Sequence, residues 1–323
     1  MSSRFAGLRY NSFLSEIRID PASGHAVIVQ PGRARRPSDF SGKGNGICPF
    51  CPGNEHETPP EVLAVRDSGA PNTPGWRVRI VPNKYPAVEP PAGAHDVIIE
   101  SPDHDFRLAA AAPEQVGDIF RALQQRIRTV SAIPGVRAVS VFKNHGRRAG
   151  ATRLHPHMQL LTLDRPPARV VAEMRAGEER FRETGRCLWC ELADDRERLV
   201  FETGEYIVLS PFAARFPFET WVLPKRHGSH FEHAAEDGIA GLGTALPDLM
   251  RRLDAIAGHL AYNLVLMSAP VSEQPSPSYH WRLELIPRRG TLGGFELGTG
   301  CYINSVPLEE AARRLRETEP AES

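Results

Sequence analysis

The feature that most constrains this chain is a C-x-x-C motif that occurs twice at a fixed offset. Cys48 and Cys51 form the first, Cys187 and Cys190 the second, and each member of the second lies 139 residues after its counterpart (187 − 48 = 190 − 51 = 139). Four of the five cysteines in the 323-residue chain are used this way. A length of this size predicts about two domains at roughly 150 residues each. The repeated motif divides them as residues 1–180 and 181–323, with the polar, charged stretch at 166–185 as a helical connection. The stretch MSSRFAGLRYNSF has no apolar core of signal-peptide length. No apolar run approaches the ~18 residues that span a bilayer, so a cytoplasmic protein away from membranes is expected. In a reducing compartment C-x-x-C reads as a metal ligand pair or a redox pair. A thioredoxin-like redox pair is disfavoured because neither motif opens a helix within a βαβ unit. Cys301 is left over and reads as a buried apolar thiol.

Histidines follow the same repeat. His104 has a counterpart in His227, 123 residues on, and His155 in His280, 125 residues on. The order Cys, Cys, His, His therefore occurs twice. Two thiolates and two imidazoles complete a tetrahedral zinc set. The expectation is two structural metal sites, Cys48, Cys51, His104 and His155 in the first half and Cys187, Cys190, His227 and His280 in the second. Zinc is the expected ion, with iron the alternative at the second site. His56, His230 and His233 compete as ligands, and His227 is preferred because it ends a strand-like run as His104 does.

The hydrophobic pattern supports an α+β fold with a largely antiparallel sheet. Strands are expected at 25–30, 77–83, 95–101, 137–143, 157–164, 199–209, 219–223, 263–268 and 279–286. Apolar residues recur at three- and four-residue spacing from Val116 to Val130, and again from Ile239 to Ile256, predicting one helix in each half. Pro247 is expected to bend the second or mark a restart. A short helix is expected from Pro307 to Glu317.

The chemistry concentrates in KNHGRRAGATRLHPHMQ, residues 143–159. On a strand, residues two apart share a face, so His155, His157 and Gln159 point the same way. Upstream, Asn144, Gly146, Arg147, Arg148, Gly150 and Thr152 supply small residues, guanidinium groups and a hydroxyl, the components of a phosphate cradle. A neutral imidazole beside bound phosphate can attack phosphorus and split one displacement into two. Gln159 could donate where charge develops. In the second half His280-Trp281-Arg282-Leu283-Glu284 keeps the ligand position but places Arg282 where the nucleophile would stand. Arginine stays charged and is no nucleophile, so the first half is expected to be the catalytic one.

With these residues in place the chain resembles the galactose-1-phosphate uridylyltransferase family, the transferase branch of the histidine-triad superfamily. The resemblance runs from Glu16 to the C-terminal helix. It is carried by EIRIDPASGHAVIVQPGRARRPSDF, C-P-F-C, S-P-D-H, the H-P-H-x-Q signature in its glycine-rich context and GGFELGTGCYIN. It implies two tandem histidine-triad-like domains, each an antiparallel half-barrel sheet packed with helices. It also implies a homodimer with nucleotide contacts from both subunits, and ping-pong transfer of a nucleoside monophosphate between an NDP-sugar and a hexose 1-phosphate, as with UDP-glucose and galactose 1-phosphate. By position in the motifs, His157 would carry the nucleotidyl group and Gln159 would assist. Asn144, Gly150 and Thr152 would hold phosphate, Arg33 or Arg36 and Asn83 the nucleotide, and Phe295, Glu296 and Asn304 would lie near the hexose. Lys143 and Met158 depart from the usual family residues, and the wording of FKNxGxxAG and GGFELGTGCYIN is closer to a plant ADP-glucose phosphorylase-like branch. An ADP-sugar or dinucleotide phosphorylase with phosphate as acceptor is therefore the second reading. A zinc-dependent binding module is the third. Lys+Arg and Asp+Glu number 39 each, and this neutral balance argues against a nucleic-acid partner.

Overall fold

The structure, a computed structural model, describes residues 16–19, 26–41 and 47–319. The N-terminal stretch read above for a signal peptide, and the first residue of the 25–30 strand, lie outside them. Twelve strands and six α-helices are formed by the described residues. Strands β1 (Glu16–Ile19) and β2 (Ala26–Val29) pair with each other as an antiparallel hairpin. The other ten are β3 (Leu63–Arg66), β4 (Trp76–Pro82), β5 (His95–Ile99), β6 (Ala138–His145), β7 (His157–Leu163), β8 (Leu199–Glu202), β9 (Tyr206–Leu209), β10 (Thr220–Pro224), β11 (Tyr262–Met267) and β12 (Arg282–Pro287). They form one sheet in the order β3-β4-β5-β7-β6-β11-β12-β10-β9-β8, with antiparallel pairing throughout.

That order reads the same from either edge. Each half supplies three strands, a helix and two strands, and the halves join where β6 pairs with β11. Helix α1 (Pro113–Ser131) belongs to the first half and α4 (Glu236–Ala257) to the second. The two helices lie on one face of the sheet. Ile119, Phe120 and Leu123 of α1 share a core there with Leu242, Leu246 and Leu249 of α4, and with Met158, Leu160, Leu264 and Leu283 from three central strands. The helices approach closely at Gly243, where a Cβ would stand 2.5 Å from the Pro113 carbonyl oxygen. Pro247 sits inside α4, which runs unbroken, so the expected restart does not occur. The expected strand over 199–209 is two strands, β8 and β9, separated by a turn.

The opposite face differs between the halves. In the second half it is covered by α2 (Ala168–Thr184) and α3 (Leu188–Ala193), whose Val170 and Trp189 pack with Leu209, Leu223 and Tyr279. In the first half the corresponding face carries a small cluster of Phe50, Trp76, Val81, Val97 and Ile99, and beside it a cavity. Helix α5 (Gly294–Thr299) buries none of its residues, and α6 (Leu308–Glu317) packs back on the core through Ala311, Ala312 and Leu315. Cys301, expected to be buried, is exposed because it follows α5 on this surface segment.

Candidate active site and metal centres

The two Cys-Cys-His-His sets predicted by the repeat each converge. In each, the four ligand atoms all lie within 4.8 Å of one another. In the first, Cys51 Sγ stands 3.3 Å from His104 Nδ1, and both Cys48 Sγ and Cys51 Sγ stand 3.6 Å from His155 Nδ1. The second has Cys190 Sγ at 3.5 Å from Nδ1 of both His227 and His280. The backbone selects the ligating nitrogen. His155 Nε2–H donates to the Ser101 carbonyl at 2.8 Å and His227 Nε2–H to the Ser276 carbonyl at 3.2 Å. A carbonyl only accepts, so each ring keeps an Nδ1 lone pair for a metal. Burial and the neighbouring Cys48 push the Cys51 thiol up to about 11. Two thiolates side by side call for a cation between them, and a divalent ion reverses that shift. The donor set therefore fits a tetrahedral metal. Of the competing histidines, His56 is exposed beside Glu57, and His230 is engaged by Ser229 Oγ and the Pro270 carbonyl.

His157 begins β7, two residues after His155 of the first cluster. It is buried, and its Nδ1–H donates to the His155 carbonyl oxygen at 3.0 Å. That bond leaves the lone pair on Nε2. Burial lowers its pKa to about 4; the His155 carbonyl opposes this, while the charges of Lys143 and Arg36 add to it. The ring is therefore neutral at pH 7, the state a nucleophile requires. Phe50, between the first two cysteines, packs edge-on against it at 5.4 Å.

His157 lines a cavity of about 680 Å³ together with Arg36, Asn83, Arg153, Phe50 and Tyr85. Burial, Arg33 and Arg153 pull the Arg36 guanidinium below its ordinary pKa, so positive charge is concentrated at this cavity and suits an anion. Arg33 itself donates to the Tyr85 carbonyl. Gln159 is buried and its Oε1 meets His95 Nε2 at 3.0 Å. Asn144 is the penultimate residue of β6 and accepts a bond from Asn263 at 2.8 Å. Between Asn144 and His155 the chain turns through Gly146 and Gly150, both at positive φ (79° and 84°). At Gly146 a Cβ would also meet Ala261 at 2.9 Å. Thr152 Oγ1 is buried with no hydrogen-bond partner among the described residues.

Of the predicted catalytic and substrate residues, His157, Arg36 and Asn83 line this cavity; Arg33, Asn144, Gly150, Thr152 and Gln159 stand outside its lining, and Phe295, Glu296 and Asn304 are engaged elsewhere. Phe295 is exposed, Glu296 accepts from the Gly293 N–H at the start of α5, and Asn304 donates to the Ala214 carbonyl. Glu296 lines a separate cavity of about 510 Å³ with Arg215, Phe216, Arg289 and Tyr302, and the two cavities share no residue. The sequence reading passed over Phe50, His95, Arg153 and Asn263. Phe50 lay in plain view inside C-P-F-C and Arg153 inside residues 143–159; the other two had no local signal.

The second half uses its equivalent positions for an ionic core. Arg282 donates to Glu173 on α2 at 2.9 Å and to its near neighbour Glu284 at 2.7 Å, and its guanidinium lies over the Trp221 ring at 4.5 Å. Arg169 and Arg215 bind the same Glu284 at 2.6 and 3.0 Å. Burial would raise the Glu284 carboxyl, but these three guanidinium groups hold it below the ordinary range. Where the first half is open, α2 fills the second. Lys143 is likewise turned away from the cavity. It pairs across the sheet with Met158, on the helix-covered face, and its ammonium binds the buried Glu100.

Fold and site define a duplicated α+β protein with paired Cys2His2 clusters and one open face whose cavity is lined by an imidazole. Comparison with known proteins agrees. Residues 73–167 match the family description "Galactose-1-phosphate uridyl transferase, N-terminal domain". An ADP-glucose phosphorylase of Arabidopsis thaliana is 36% identical over 94% of this chain and 92% of its own. A galactose-1-phosphate uridylyltransferase of Thermotoga maritima is 28% identical over 95% and 99%. The crystal structure of an Arabidopsis thaliana ADP-glucose phosphorylase with bound ADP-glucose superposes with a TM-score of 0.80 at 35% identity, covering 94% of this chain and 99% of that one. The chain belongs to the galactose-1-phosphate uridylyltransferase family.

Proposed function

We propose that this chain is a nucleotidyltransferase that moves a nucleoside monophosphate from an NDP-sugar, through a covalent adduct on His157, to a phosphate-bearing acceptor. The observation that carries the reading is the neutral His157 ring on the cavity wall, with Nδ1–H held by the His155 carbonyl and the Nε2 lone pair free. In the first step Nε2 attacks the α-phosphorus. The N–P bond forms, the bond to the bridging oxygen breaks, and the sugar 1-phosphate leaves with that electron pair. In the second step an acceptor phosphate oxygen attacks the same phosphorus and the N–P pair returns to His157. The amide groups of Gln159 and Asn144 stabilise charge on the non-bridging oxygens. Gly150 and Thr152 shape the phosphate loop, and Arg33, Arg36 and Asn83 hold the nucleotide.

Relatives divide on base and acceptor. The 36% identity to an ADP-glucose phosphorylase, against 28% to a uridylyltransferase, favours an adenine nucleotide and phosphate over uridine and galactose 1-phosphate. Both Cys2His2 sets suit zinc, bound at Cys48, Cys51, His104 and His155 and at Cys187, Cys190, His227 and His280, where it pins loops to the sheet. We read residues 1–180 and 181–323 as the two copies of the duplicated unit, and the protein as a cytoplasmic homodimer. In the dimer Phe295, Glu296 and Asn304 of one copy reach the hexose in the partner's cavity. The exposed Phe295, Leu297, Tyr302 and Ile303 support this assembly.

The test crosses ADP- and UDP-sugars with phosphate, glucose 1-phosphate and galactose 1-phosphate. Turnover of ADP-glucose with phosphate, with acid-labile label on His157, is the expected result. Absence of label from every NDP-sugar sinks the reading, and label from UDP-glucose alone reverses the choice of base.

A further inference from the structure

Gln159 stands two residues from His157 on β7, and Asn144 follows Lys143, which pairs with Met158 across β6 and β7, so two carboxamides neighbour His157 in the sheet. A carboxamide is useful to a developing oxyanion only through its NH2 group. Which way each amide faces is therefore a functional property, and the surrounding residues determine it. His95 stands on β5 with its ring buried beside Gln159. Its Nδ1 receives the Ala87 backbone N–H at 2.8 Å, and the Arg33 guanidinium lies 3.3 Å from the same atom. Both are obligate donors, so Nδ1 must be the acceptor and the ring proton resides on Nε2. Nε2–H then donates to Gln159 Oε1 at 3.0 Å. The Asn83 amide nitrogen, 3.2 Å from Nε2, is a second donor and adds no bond there. With its oxygen engaged, Gln159 can only turn its NH2 group away from His95. Burial, with Arg33 and Arg36 nearby, lowers the His95 pKa to about 4, so this neutral tautomer persists at pH 7.

The second amide is held from the other half of the molecule. Asn263 on β11 lies directly across from Asn144 in the β6–β11 pairing. Its Nδ2 donates to Asn144 Oδ1 at 2.8 Å and to the Ala149 carbonyl at 2.9 Å. One amide group thus engages the oxygen of Asn144 and ties down the Gly146–Gly150 turn.

We propose that His95 and Asn263 are positioning residues that lock Gln159 and Asn144 with their NH2 groups presented to the phosphorus at His157. The proposal rests on the nucleotidyl-histidine reading for its chemistry, and on backbone and guanidinium donors for its geometry. It gives the half without a nucleophile a part in the reaction, since Asn263 belongs to that half.

The experiment follows single-turnover labelling of His157 by radiolabelled ADP-glucose and UDP-glucose. His95→Phe removes the donor to Gln159, whereas His95→Gln keeps an N–H at the position of Nε2. His95→Phe is expected to slow labelling on the order of 10²-fold, the loss typical of one oxyanion donor, with the affinity for NDP-sugar little changed. His95→Gln is expected to stay near the wild-type rate. Asn263→Asp, which replaces a donor by an acceptor, is expected to slow labelling similarly. Adding His95→Phe to Gln159→Ala should cost nothing further, because both act through one amide. Multiplying effects, or a His95→Gln as slow as His95→Phe, would overturn the proposal. A wild type that takes no label defeats the parent reading instead. The tautomer is then read directly from ¹⁵N-histidine NMR of the full chain, with His95→Gln used for assignment. An Nε2–H signal for His95 that shifts in Gln159→Ala supports the lock, and an Nδ1–H signal overturns it irrespective of turnover or of how well His95→Phe folds.

Discussion

His157 Nδ1–H donates to the carbonyl oxygen of His155 at 3.0 Å, while His155 faces the first Cys2His2 cluster through its own Nδ1. A residue of the candidate metal cluster thus also sets the tautomer of the residue proposed to attack phosphorus. His155 precedes β7 and His157 opens it, and the backbone bond between them gives the two rings different surroundings.

This separation predicts different phenotypes for neighbours. His157→Asn is expected to lose the nucleotidyl adduct and at least about 10³-fold in turnover, as for loss of a nucleophile. Its metal content and melting temperature should match the wild type. His155→Ala should lose metal and stability together. Elemental analysis and thermal melts of the two variants decide it, and equal metal loss in both would refute the assignment.

Metal stoichiometry provides a second check. The wild-type chain should hold two equivalents of metal per chain, and Cys51→Ser and Cys190→Ser should each lose one. Because binding free energy to the folded state adds to folding stability, each variant should also melt lower, and chelation should lower the wild type in the same direction. Retention of two tightly held equivalents in either variant argues against that cluster.

The ionic core of the second half should be costly to break and cheap to replace. Arg282→Met leaves the buried Glu284 beside the half-buried Glu173 with Arg169 and Arg215 still bound, and is expected to destabilise toward the lower end of about 3–5 kcal/mol. Replacing Arg282 and Glu284 together by Met and Leu should cost much less. Urea unfolding of the two variants measures the contrast, and equal costs would count against it.

Acid should act through His145. This ring stacks on Tyr262 at 4.9 Å, and burial, reinforced by the charges of Lys143, Arg107 and His259, lowers its pKa to about 4. The unfolded chain binds that proton near pH 6.5, so the stabilisation from keeping the ring neutral is full above pH 6.5. It is lost as pH falls from 6.5 to 4, up to roughly 3 kcal/mol at 1.36 kcal/mol per unit. His145→Phe keeps the stack and removes the proton, so its stability should fall less over this window. Parallel stability–pH curves for the two proteins would show that His145 contributes nothing.

Complementation tests the shared site. Mixing His157→Asn with Asn304→Ala chains, then allowing subunits to exchange, should restore about a quarter of wild-type activity, because half the dimers are hybrids and each regains one complete site. No recovery, with exchange verified, would count against a segment working in its partner.

The repeat was legible because metal chemistry is stringent about residue type and order. Cysteine and histidine at matching positions named both clusters, and the H-P-H-x-Q alternation placed His157 and Gln159 on one face. Helices α1 and α4 were legible from their apolar spacing. The short strands β1 and β3 were not, since four residues carry too little periodicity. Helix α5 was missed for a related reason: it buries nothing, so no apolar face marks it.

The sequence by itself marked the two Cys-Cys-His-His sets and singled out His157, in the first half, as the proposed nucleophile. These depend on which atoms a residue possesses. Only the tertiary structure decided that the two halves share one ten-stranded sheet through β6 and β11, and that α2 fills the face left open in the first half. It alone set His95 and Asn263 against Gln159 and Asn144, partners 64 and 119 residues apart. Hydrogen bonds between side chains so distant leave no local pattern, because each residue's role is set by the backbone the fold brings beside it.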